Sequence, residues 1–261
     1  MYCGSSLICF VKRIIILNKE EGETPLQALQ NFRKSHKSYK DIKMTYAGRL
    51  DPMASGLLLI LAGEETKNKE KYLNLDKEYE FEVLFGFSTD TYDILGKVLS
   101  SNILTNIGIK DLENKIKKNL KYFTGKYVQK YPIYSSKTVK GKQLFVYARE
   151  GRQVELPERE VVVRKLKFLK LRKISSTRLL KDIEKRIKKV GGDFRQKEIL
   201  KLWQQKLLRS KENFSIAEFK IKCSSGTYVR AVANSLGEKI GIPTLAYSIK
   251  RKKIGKWGRA G

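Results

Sequence analysis

Cysteine and histidine are scarce in this 261-residue chain, which has three cysteines and one histidine. Cys3, Cys9 and Cys223 show no C-x-x-C spacing, and no histidine cluster lies beside them, since His36 is the only histidine. This scarcity argues strongly against a zinc site of Cys/His type. The odd and sparse cysteine count also argues against a secreted scaffold held by disulfides, so we expect reduced thiols in a cytoplasm.

Long uncharged apolar runs are also missing, so the sequence predicts no membrane-spanning helix. The stretch 6–17 is apolar, but Lys12 and Arg13 interrupt it and it has no small-residue cleavage site. The first strand of the fold is therefore a better interpretation of this stretch than a signal peptide.

Acidic residues are few as well: 27 Asp and Glu stand against 55 Lys and Arg, for a net charge of +28. Such a surface attracts phosphates and releases their counterions, which favours a nucleic-acid partner over the alternative of a merely solvated, lysine-rich surface. With 41% hydrophobic residues the chain can bury a core, and its length allows one large domain or two small ones.

Hydrophobic patterning predicts strands and helices that mix without a strict βαβ rhythm. Strands are predicted at 14–17, 57–61, 79–83, 161–171 and 217–223, and helices at 24–34, 65–73, 112–123 and 227–240. This mixture favours an α+β fold with a mainly antiparallel central sheet flanked by helices.

Two further stretches are rich in cations. Residues 126–151 carry four tyrosines among many lysines. Residues 173–213 carry 13 Lys and Arg against 5 Asp and Glu, and two helices separated at Gly191-Gly192 fit this basic insert. The second helix has an apolar face that includes Trp203 and Leu207.

The most informative segment is Y-A-G-R-L-D-P-M-A-S-G at 46–56. It sets Asp51 in a turn punctuated by glycine and proline, directly before five consecutive apolar residues that predict a buried strand. A rigid strand is a good support for a catalytic carboxylate. An aspartate that only caps backbone N–H groups of the turn is an equally good interpretation of the spacing alone.

This segment resembles the active-site motif of the TruB family, the tRNA pseudouridine synthases that act on the T loop. Other elements similar to those of the family follow in family order, between about 14 and about 254. They are A-G-E-E-T-K at 62–67, D-K-E-Y at 76–79, T-D-T-Y-D at 89–93, Y-P-I-Y-S-S-K at 131–137, Y-A-R-E-G at 147–151 and C-S-S-G-T-Y-V-R at 223–230.

The resemblance implies the pseudouridine synthase fold in a single catalytic domain, 1–261, with a thumb-like RNA-binding segment at 126–151. The basic helical insert at 173–213 is longer than the usual connection in the family. The sequence ends near the point where many members continue into a PUA domain, so no complete PUA domain is expected. We hypothesise that the insert partly replaces that domain by gripping the acceptor stem of tRNA.

The resemblance also assigns catalytic roles. Asp51 falls on the aspartate that attacks or stabilises C1′ of the target uridine, and the sequence does not choose between an ester and a glycal route. Arg230 falls on the arginine that pairs with this aspartate. Tyr79 falls on the tyrosine that stacks on the target base and accepts or relays the C5 proton, although the strand pattern alone favours an ordinary strand aromatic.

Further residues are expected at the substrate. Tyr46 stands where the family usually has a histidine, and its ring can stack on a base but cannot act as a cation. Asp93 is given a supporting role. The remaining substrate-binding predictions are Tyr228, Ile249, Lys137 and Arg149, of which Tyr228 and Ile249 are equally plausible as core residues. The resemblance implies a monomer that binds the T stem-loop of tRNA without cofactor or metal.

Two alternatives remain open. The letters G-R-L-D at 48–51 also resemble a motif of the RluA/RsuA family, so ribosomal RNA is an alternative substrate for the same chemistry. A protein that binds or folds tRNA without turnover is an alternative from another functional class.

Overall fold

The structure of the protein is a computed structural model, which describes residues 11–101 and 107–258. Cys3, Cys9 and residues 6–10 of the stretch interpreted as the first strand therefore lie outside the described residues. Strands in the described ranges are β1 (Ile14–Lys19), β2 (Met44–Ala47), β3 (Ala54–Ala62), β4 (Lys77–Phe85), β5 (Phe87–Thr89), β6 (Val98–Ser101), β7 (Gly125–Lys130), β8 (Thr138–Val139), β9 (Lys142–Gln143), β10 (Glu158–Ser175), β11 (Asn213–Cys223), β12 (Thr244–Ile254) and β13 (Trp257–Gly258). Helices are α1 (Pro25–Ser35), α2 (Lys69–Leu73), α3 (Ile109–Asn119), α4 (Leu144–Arg149), α5 (Ser176–Ile187), α6 (Gln196–Leu207) and α7 (Val229–Ile240), with short 3-10 helices at Lys37–Tyr39, Gly63–Asn68 and Leu120–Phe123.

One nine-stranded sheet organises the described residues, in the order β1-β3-β12-β4-β11-β10-β7, with β2 paired to β3 and β13 paired to β12. Every pair in this sheet is antiparallel except β3 and β12, which run parallel. The predicted α+β fold with a mainly antiparallel sheet is therefore confirmed.

Strand β3 is apolar without interruption because both of its faces are covered. Leu58 and Ile60 pack with α1 in one cluster, while Leu59 and Leu61 pack with Tyr72 in another. A strand buried on both faces loses the polar alternation of a half-exposed strand. Its rigid position in the sheet supports the turn that precedes it.

The two faces of the central strands carry different helices. Along β4, Phe81 and Val83 lie in the cluster that includes residues of α3 and α7. Leu84 lies in the cluster that includes residues of α5 and α6. Since successive side chains of a strand point to opposite faces, α3 and α7 cover one face of the sheet and the helical insert covers the other.

The predicted insert at 173–213 is helical only at 176–187 and 196–207. Its first and last residues instead belong to strands, because the ladder between β10 and β11 continues as far as the pair Ser175–Asn213. Ser175 then caps α5, since its hydroxyl accepts a hydrogen bond from the Arg178 amide. The predicted break at Gly191-Gly192 lies between the two helices.

Two predicted helices begin differently from expectation. The range 65–73 divides into a 3-10 helix at Gly63–Asn68 and the short α2. The helix predicted at 227–240 starts at Val229, because Tyr228 is extended (φ −90°, ψ 106°) and takes the N-cap position. Among the helices of the described ranges, none is long and apolar enough to cross a membrane.

Candidate active site

The turn that carries Asp51 is held from the side of the β1–α1 connection. The Pro52 carbonyl accepts hydrogen bonds from the Gly22 amide at 2.9 Å and from Lys19 Nζ at 3.4 Å. Lys19 is completely buried, and its ammonium also donates to the carbonyls of Glu20 and Glu23 at 2.8 and 2.6 Å. Burial lowers the pKa of Lys19 to about 8, and the neighbouring carboxylates of Glu23 and Asp51 oppose that shift.

A second buried cation holds the turn from the other side. Arg251 of β12 is 1% exposed, and its guanidinium donates to the Leu57 carbonyl at 2.7 Å. It also donates to the carbonyls of Arg49 and Gly48 at 3.2 and 3.3 Å. The backbone on both sides of Asp51 is thus fastened by buried side chains.

Arg230, in the first turn of α7, lies against Asp51. Its Nε donates to Asp51 Oδ2 at 2.7 Å and its NH2 group donates to Oδ1 at 3.1 Å. The Arg230 side chain is 3% exposed, whereas that of Asp51 is 37% exposed. The aspartate therefore has one side fixed by a guanidinium and another side open to solvent.

Three more oxygen atoms surround the Arg230 guanidinium. Asp93 Oδ2 is 3.7 Å from its Nε, the Tyr134 carbonyl is 3.3 Å from NH2, and the Thr91 carbonyl accepts from NH1. Burial alone would lower the pKa of Arg230, but the charges of Asp51 and Asp93 raise it above the ordinary value. The arginine therefore stays charged at its buried position.

Asp93 is buried in the turn after β5. Its Oδ1 accepts hydrogen bonds from the Thr91 hydroxyl at 2.7 Å and from the Leu95 amide at 2.9 Å. Burial raises the pKa of Asp93 to about 6, while Arg230 acts in the opposite direction. The supporting role expected for Asp93 matches this position behind Arg230, although its function stays a prediction.

Two tyrosines predicted at the site lie near the same carboxylate. Tyr79 of β4 is half-buried and pairs with Arg251 in the sheet. Burial raises the pKa of its hydroxyl, and Asp51 is among the charges that add to this effect. Tyr228 also has its pKa raised, first by burial and then by Asp51. Its ring lies 5.6 Å from that of Tyr131, in an edge-on arrangement.

The other predicted substrate contacts spread outward from this centre. The cations of Arg49 and Lys69 both lie 5.9 Å from the ring of Tyr46, which is half-buried on β2. Ile249 is 8% exposed and belongs to the main core cluster. The alternative of a core residue therefore describes Ile249 well.

Lys137 and Arg149 lie in segment 126–151, for which a thumb-like role in RNA binding stays a prediction. The Lys137 ammonium lies 5.6 Å from the ring of Tyr131, which connects it to Tyr228. Arg149 instead donates to the Asp193 carbonyl at 2.8 Å, in the loop between α5 and α6. The structure thus gives Arg149 a contact with the insert, which the sequence pattern did not predict.

Sequence reasoning missed Lys19 and Arg251. Both are single cations among the 55 Lys and Arg of the chain, and neither stands in a motif that separates a buried cation from a solvated one. Lys19 follows a predicted buried strand, which is the only local signal for its burial. Within 11–101 and 107–258, no group of three or more His, Cys, Asp or Glu side chains is placed to hold a metal ion.

The arrangement has a definite chemical capacity. A carboxylate that is fixed on one side and open on the other can attack an electron-deficient carbon or stabilise a positive charge that develops there. The aromatic rings beside it offer flat surfaces for a planar base.

Comparison with known proteins supplies the family. A family model described as TruB family pseudouridylate synthase (N terminal domain) matches residues 34–186, which is more than half of the chain. A protein of Lactobacillus acidophilus named tRNA pseudouridine synthase B is 34% identical over 238 residues, which make up 91% of this chain and 67% of that protein. A protein of the same name from Endomicrobium trichonymphae is 31% identical over 242 residues, covering 92% of this chain and 84% of that protein.

Solved structures show the same fold at lower identity. A chain of a Cbf5-Nop10-Gar1 complex is similar with a TM-score of 0.56 and 16% identity, covering 95% of this chain and 50% of that chain. A chain of an H/ACA RNP bound to a substrate RNA containing 2′-deoxyuridine has a TM-score of 0.54 and 16% identity, and the match covers 95% of this chain and 49% of that chain. This chain therefore spans about half the length of those solved chains.

Proposed function

The chain belongs to the TruB family of pseudouridylate synthases, and we propose that it converts a uridine in the T loop of tRNA to pseudouridine, with Asp51 as the reacting carboxylate. The observation that carries this proposal is the pair of hydrogen bonds, 2.7 and 3.1 Å long, from the buried Arg230 to the half-exposed Asp51. The names of the two relatives support tRNA as the substrate.

The proposed reaction is an isomerisation in which atoms and electrons balance within the nucleoside. The C1′–N1 bond breaks and its electron pair leaves with the uracil ring. The open side of the Asp51 carboxylate either forms an ester at C1′ or stabilises the positive charge there. After the base turns, C5 bonds to C1′; where an ester has formed, its C1′–O bond breaks at this point and the electron pair returns to the Asp51 carboxylate. The C5 proton is then removed and N1 gains a proton.

Tyr79 is proposed to stack on the base and to relay the C5 proton. Because burial raises the pKa of its hydroxyl, the phenol is protonated at neutral pH and is a poor free base. A relay, in which the hydroxyl accepts one proton while it releases its own, agrees with that state. Tyr228 contributes a second aromatic surface beside Asp51.

A target base inside a folded RNA loop must leave its stack, which costs a few kcal/mol. Phosphate contacts offset that cost, and the insert offers cations for them. Arg178, Lys181 and Lys185 of α5 and its C-cap residue Lys188 lie about one turn apart, are exposed, and form no ion pair with any described residue. We call these four residues the α5 ridge, and propose that it contacts phosphates of the tRNA outside the T loop.

The position of α5 supports this proposal. Just beyond its C-terminal end, the Gly191 amide donates to the Gly22 carbonyl at 3.3 Å. The Gly22 amide in turn donates to Pro52, next to Asp51. The ridge therefore runs along a helix that ends beside the turn of Asp51.

Release of tritium from C5-labelled uridine tests the function directly. Wild-type protein is expected to release tritium from a T-stem-loop hairpin, and Asp51→Asn is expected to bind the hairpin normally and release none. Asp41→Asn is the matched control, because Asp41 is exposed and lies outside the site.

Two outcomes would contradict the proposal. Release by Asp51→Asn at the wild-type rate would remove Asp51 from the reaction. No release from the hairpin, with release from ribosomal RNA fragments, would assign the same chemistry to a different substrate.

A further inference from the structure

The loop between α5 and α6 reaches the active site through Arg195. Its guanidinium donates to both carboxylate oxygens of Asp90, at 2.6 and 3.3 Å. The same guanidinium lies over the ring of Tyr134, with 4.3 Å from Cζ to the ring centroid. The side chains of Arg195 and Asp90 are 19% and 17% exposed, so this contact is largely shielded from solvent.

Arg195 thus joins two chain segments that both serve Arg230. Asp90 precedes Thr91, whose carbonyl accepts a hydrogen bond from Arg230. Tyr134 supplies the other backbone carbonyl that accepts from Arg230, at 3.3 Å. Arg195 therefore contacts both backbone segments whose carbonyls accept hydrogen bonds from Arg230.

The backbone of Arg195 has an unusual conformation. Its φ of 63° and ψ of 26° lie in the left-handed region, which residues other than glycine seldom adopt. The Asp90 carboxylate is fixed as well, since its Oδ1 accepts a hydrogen bond from the Lys97 amide at 2.8 Å. Both partners are therefore held in place before any substrate arrives.

The other end of the same inter-helix region is anchored on the Asp51 side. Arg186, at the end of α5, donates to both carboxylate oxygens of Glu21 at 2.9 and 2.8 Å. Glu21 adjoins Gly22, whose amide donates to the Pro52 carbonyl. A side chain at Gly22 would meet the Lys189 carbonyl oxygen at 2.7 Å, so the two segments are in close contact. The insert therefore touches the supports of Asp51 and of Arg230.

We propose that the helical insert is a built-in brace of the active site, in which Arg195 is a positioning residue that acts on catalysis through Asp90, Tyr134 and Arg230. This inference rests on the proposed function for its catalytic readout. Arg195 forms no hydrogen bond or ion pair with Asp51 or Asp93; it acts on the backbone segments that hold Arg230 in position.

The test compares Arg195→Ala, Arg195→Lys and the control Lys197→Ala, an exposed cation of α6 that forms no ion pair with a described residue. Single-turnover tritium release is measured at saturating T-stem-loop RNA, beside the Kd for the same RNA. Arg195→Ala is expected to slow the single-turnover step by about 10- to 100-fold without changing Kd, because the reacting groups are misplaced while RNA contacts remain. Arg195→Lys is expected to recover part of the rate, and Lys197→Ala to match wild type.

A second variant protects the test against misfolding. Asp90→Asn should slow the same step, and the double variant should be no slower than Arg195→Ala, because both substitutions break one contact. Additive effects, an unchanged rate in Arg195→Ala, or a change in Kd with a normal rate at saturation would each overturn the proposal. The last of these outcomes would make Arg195 a direct RNA contact.

A protein-only measurement separates this inference from the proposed function. Carboxyl carbon NMR of free protein follows the titration of Asp93, whose pKa of about 6 is held down by Arg230. If Arg195 holds Arg230 in position, Arg195→Ala moves that cation away from Asp93 and raises the Asp93 pKa, and Arg195→Lys restores it. An unchanged titration overturns the brace even if wild type is active, and a raised pKa supports it even if wild type releases no tritium.

Discussion

Arg230 donates two hydrogen bonds to Asp51, yet the side chain of the arginine is 3% exposed and that of the aspartate is 37% exposed. The pair is therefore asymmetric: the cation belongs to the core and the carboxylate belongs to the surface. In the proposed complex, where RNA would cover Asp51 and remove its water, the guanidinium would remain as its charged partner.

The same arginine also neutralises the buried Asp93, 3.7 Å from its Nε. Arg230 therefore joins α7, the Asp51 turn and the turn after β5 at one point. These three segments, remote along the chain, depend on this single side chain for their contact. Substitutions at the site and in the insert should have different effects on catalysis, RNA binding and stability.

Replacing Arg230 with lysine should impair catalysis although the charge is kept. A lysine ammonium cannot reproduce the fork that bonds both oxygens of Asp51 together with two carbonyls. We expect single-turnover tritium release to fall by about 100-fold, and the free energy of unfolding to fall by about 1–3 kcal/mol. Urea unfolding and tritium release measure the two effects. The exposed Arg209→Lys is the control and should match wild type; equal behaviour of both variants would contradict the proposed role of Arg230.

Asp93→Asn should change the pH dependence of stability in a defined direction. Burial raises the pKa of Asp93 to about 6 from an ordinary value of 3.8, so the folded state binds its proton more tightly than the unfolded state does. Wild type therefore loses stability from this group as pH rises from about 4 to about 6. As pH rises through that window, the free energy of unfolding of Asp93→Asn should increase by up to about 3 kcal/mol relative to that of wild type.

Urea unfolding at a series of pH values measures this difference. Asp41→Asn, at an exposed position, should run parallel to wild type across the same window. A flat difference between Asp93→Asn and wild type would mean that Asp93 titrates normally in the folded protein.

Trp203→Ala should destabilise the whole domain rather than the insert alone. Trp203 of α6 is completely buried, its Nε1 donates to the Ile94 carbonyl at 3.1 Å, and its ring lies 5.1 Å from that of Phe87. We expect the free energy of unfolding to fall by about 3–5 kcal/mol, with a single unfolding transition. Leu208→Ala, at a side chain that is 70% exposed, should stay within about 0.5 kcal/mol of wild type. A separate early transition for the insert would contradict a shared core.

The α5 ridge should determine part of the salt dependence of RNA binding. Changing Lys181, Lys185 and Lys188 together to glutamine should weaken binding, and should reduce the slope of log K against log salt by about 0.9 for each phosphate that the protein no longer neutralises. The control is the triple change of Lys110, Lys115 and Lys118 on α3, which covers the opposite face of the sheet. If the slope is unchanged, or changes equally in both triples, the ridge is not a specific RNA-binding surface.

Local sequence patterns predicted most of the scaffold around the site. Five apolar residues after the Asp51 turn predicted β3, because burial on both faces demands apolar side chains at every position. The helix predicted at 24–34 is α1, which Thr24 caps by accepting a hydrogen bond from the Gln27 amide at 3.2 Å, with Pro25 in the first helical position. The boundaries of the insert were less accurate, because pairing with β11 extends β10 to Ser175 against local helical patterning.

Only some of the residues at the site were predicted from the sequence. Asp51 and Arg230 are 179 residues apart, and the resemblance of their two motifs to one family predicted their contact, which the structure places at hydrogen-bond distance. Lys19, Arg251 and Arg195 were not predicted. Each is one cation among 55, and a cation donates to a buried carbonyl or carboxylate only where the fold brings that acceptor to it.

The sequence by itself determined the basic character of the protein, its family, its α+β class and the candidate for the reacting carboxylate, because charge, periodicity and ordered motifs are properties of the chain. Only the tertiary structure decided which cations are buried, that the helical insert packs on the sheet beneath the site, and that its Arg195 joins Asp90 to Tyr134. The physical reason is that burial and pairing depend on which groups meet across the fold, and for these cations no motif or local pattern in the chain indicates the partner.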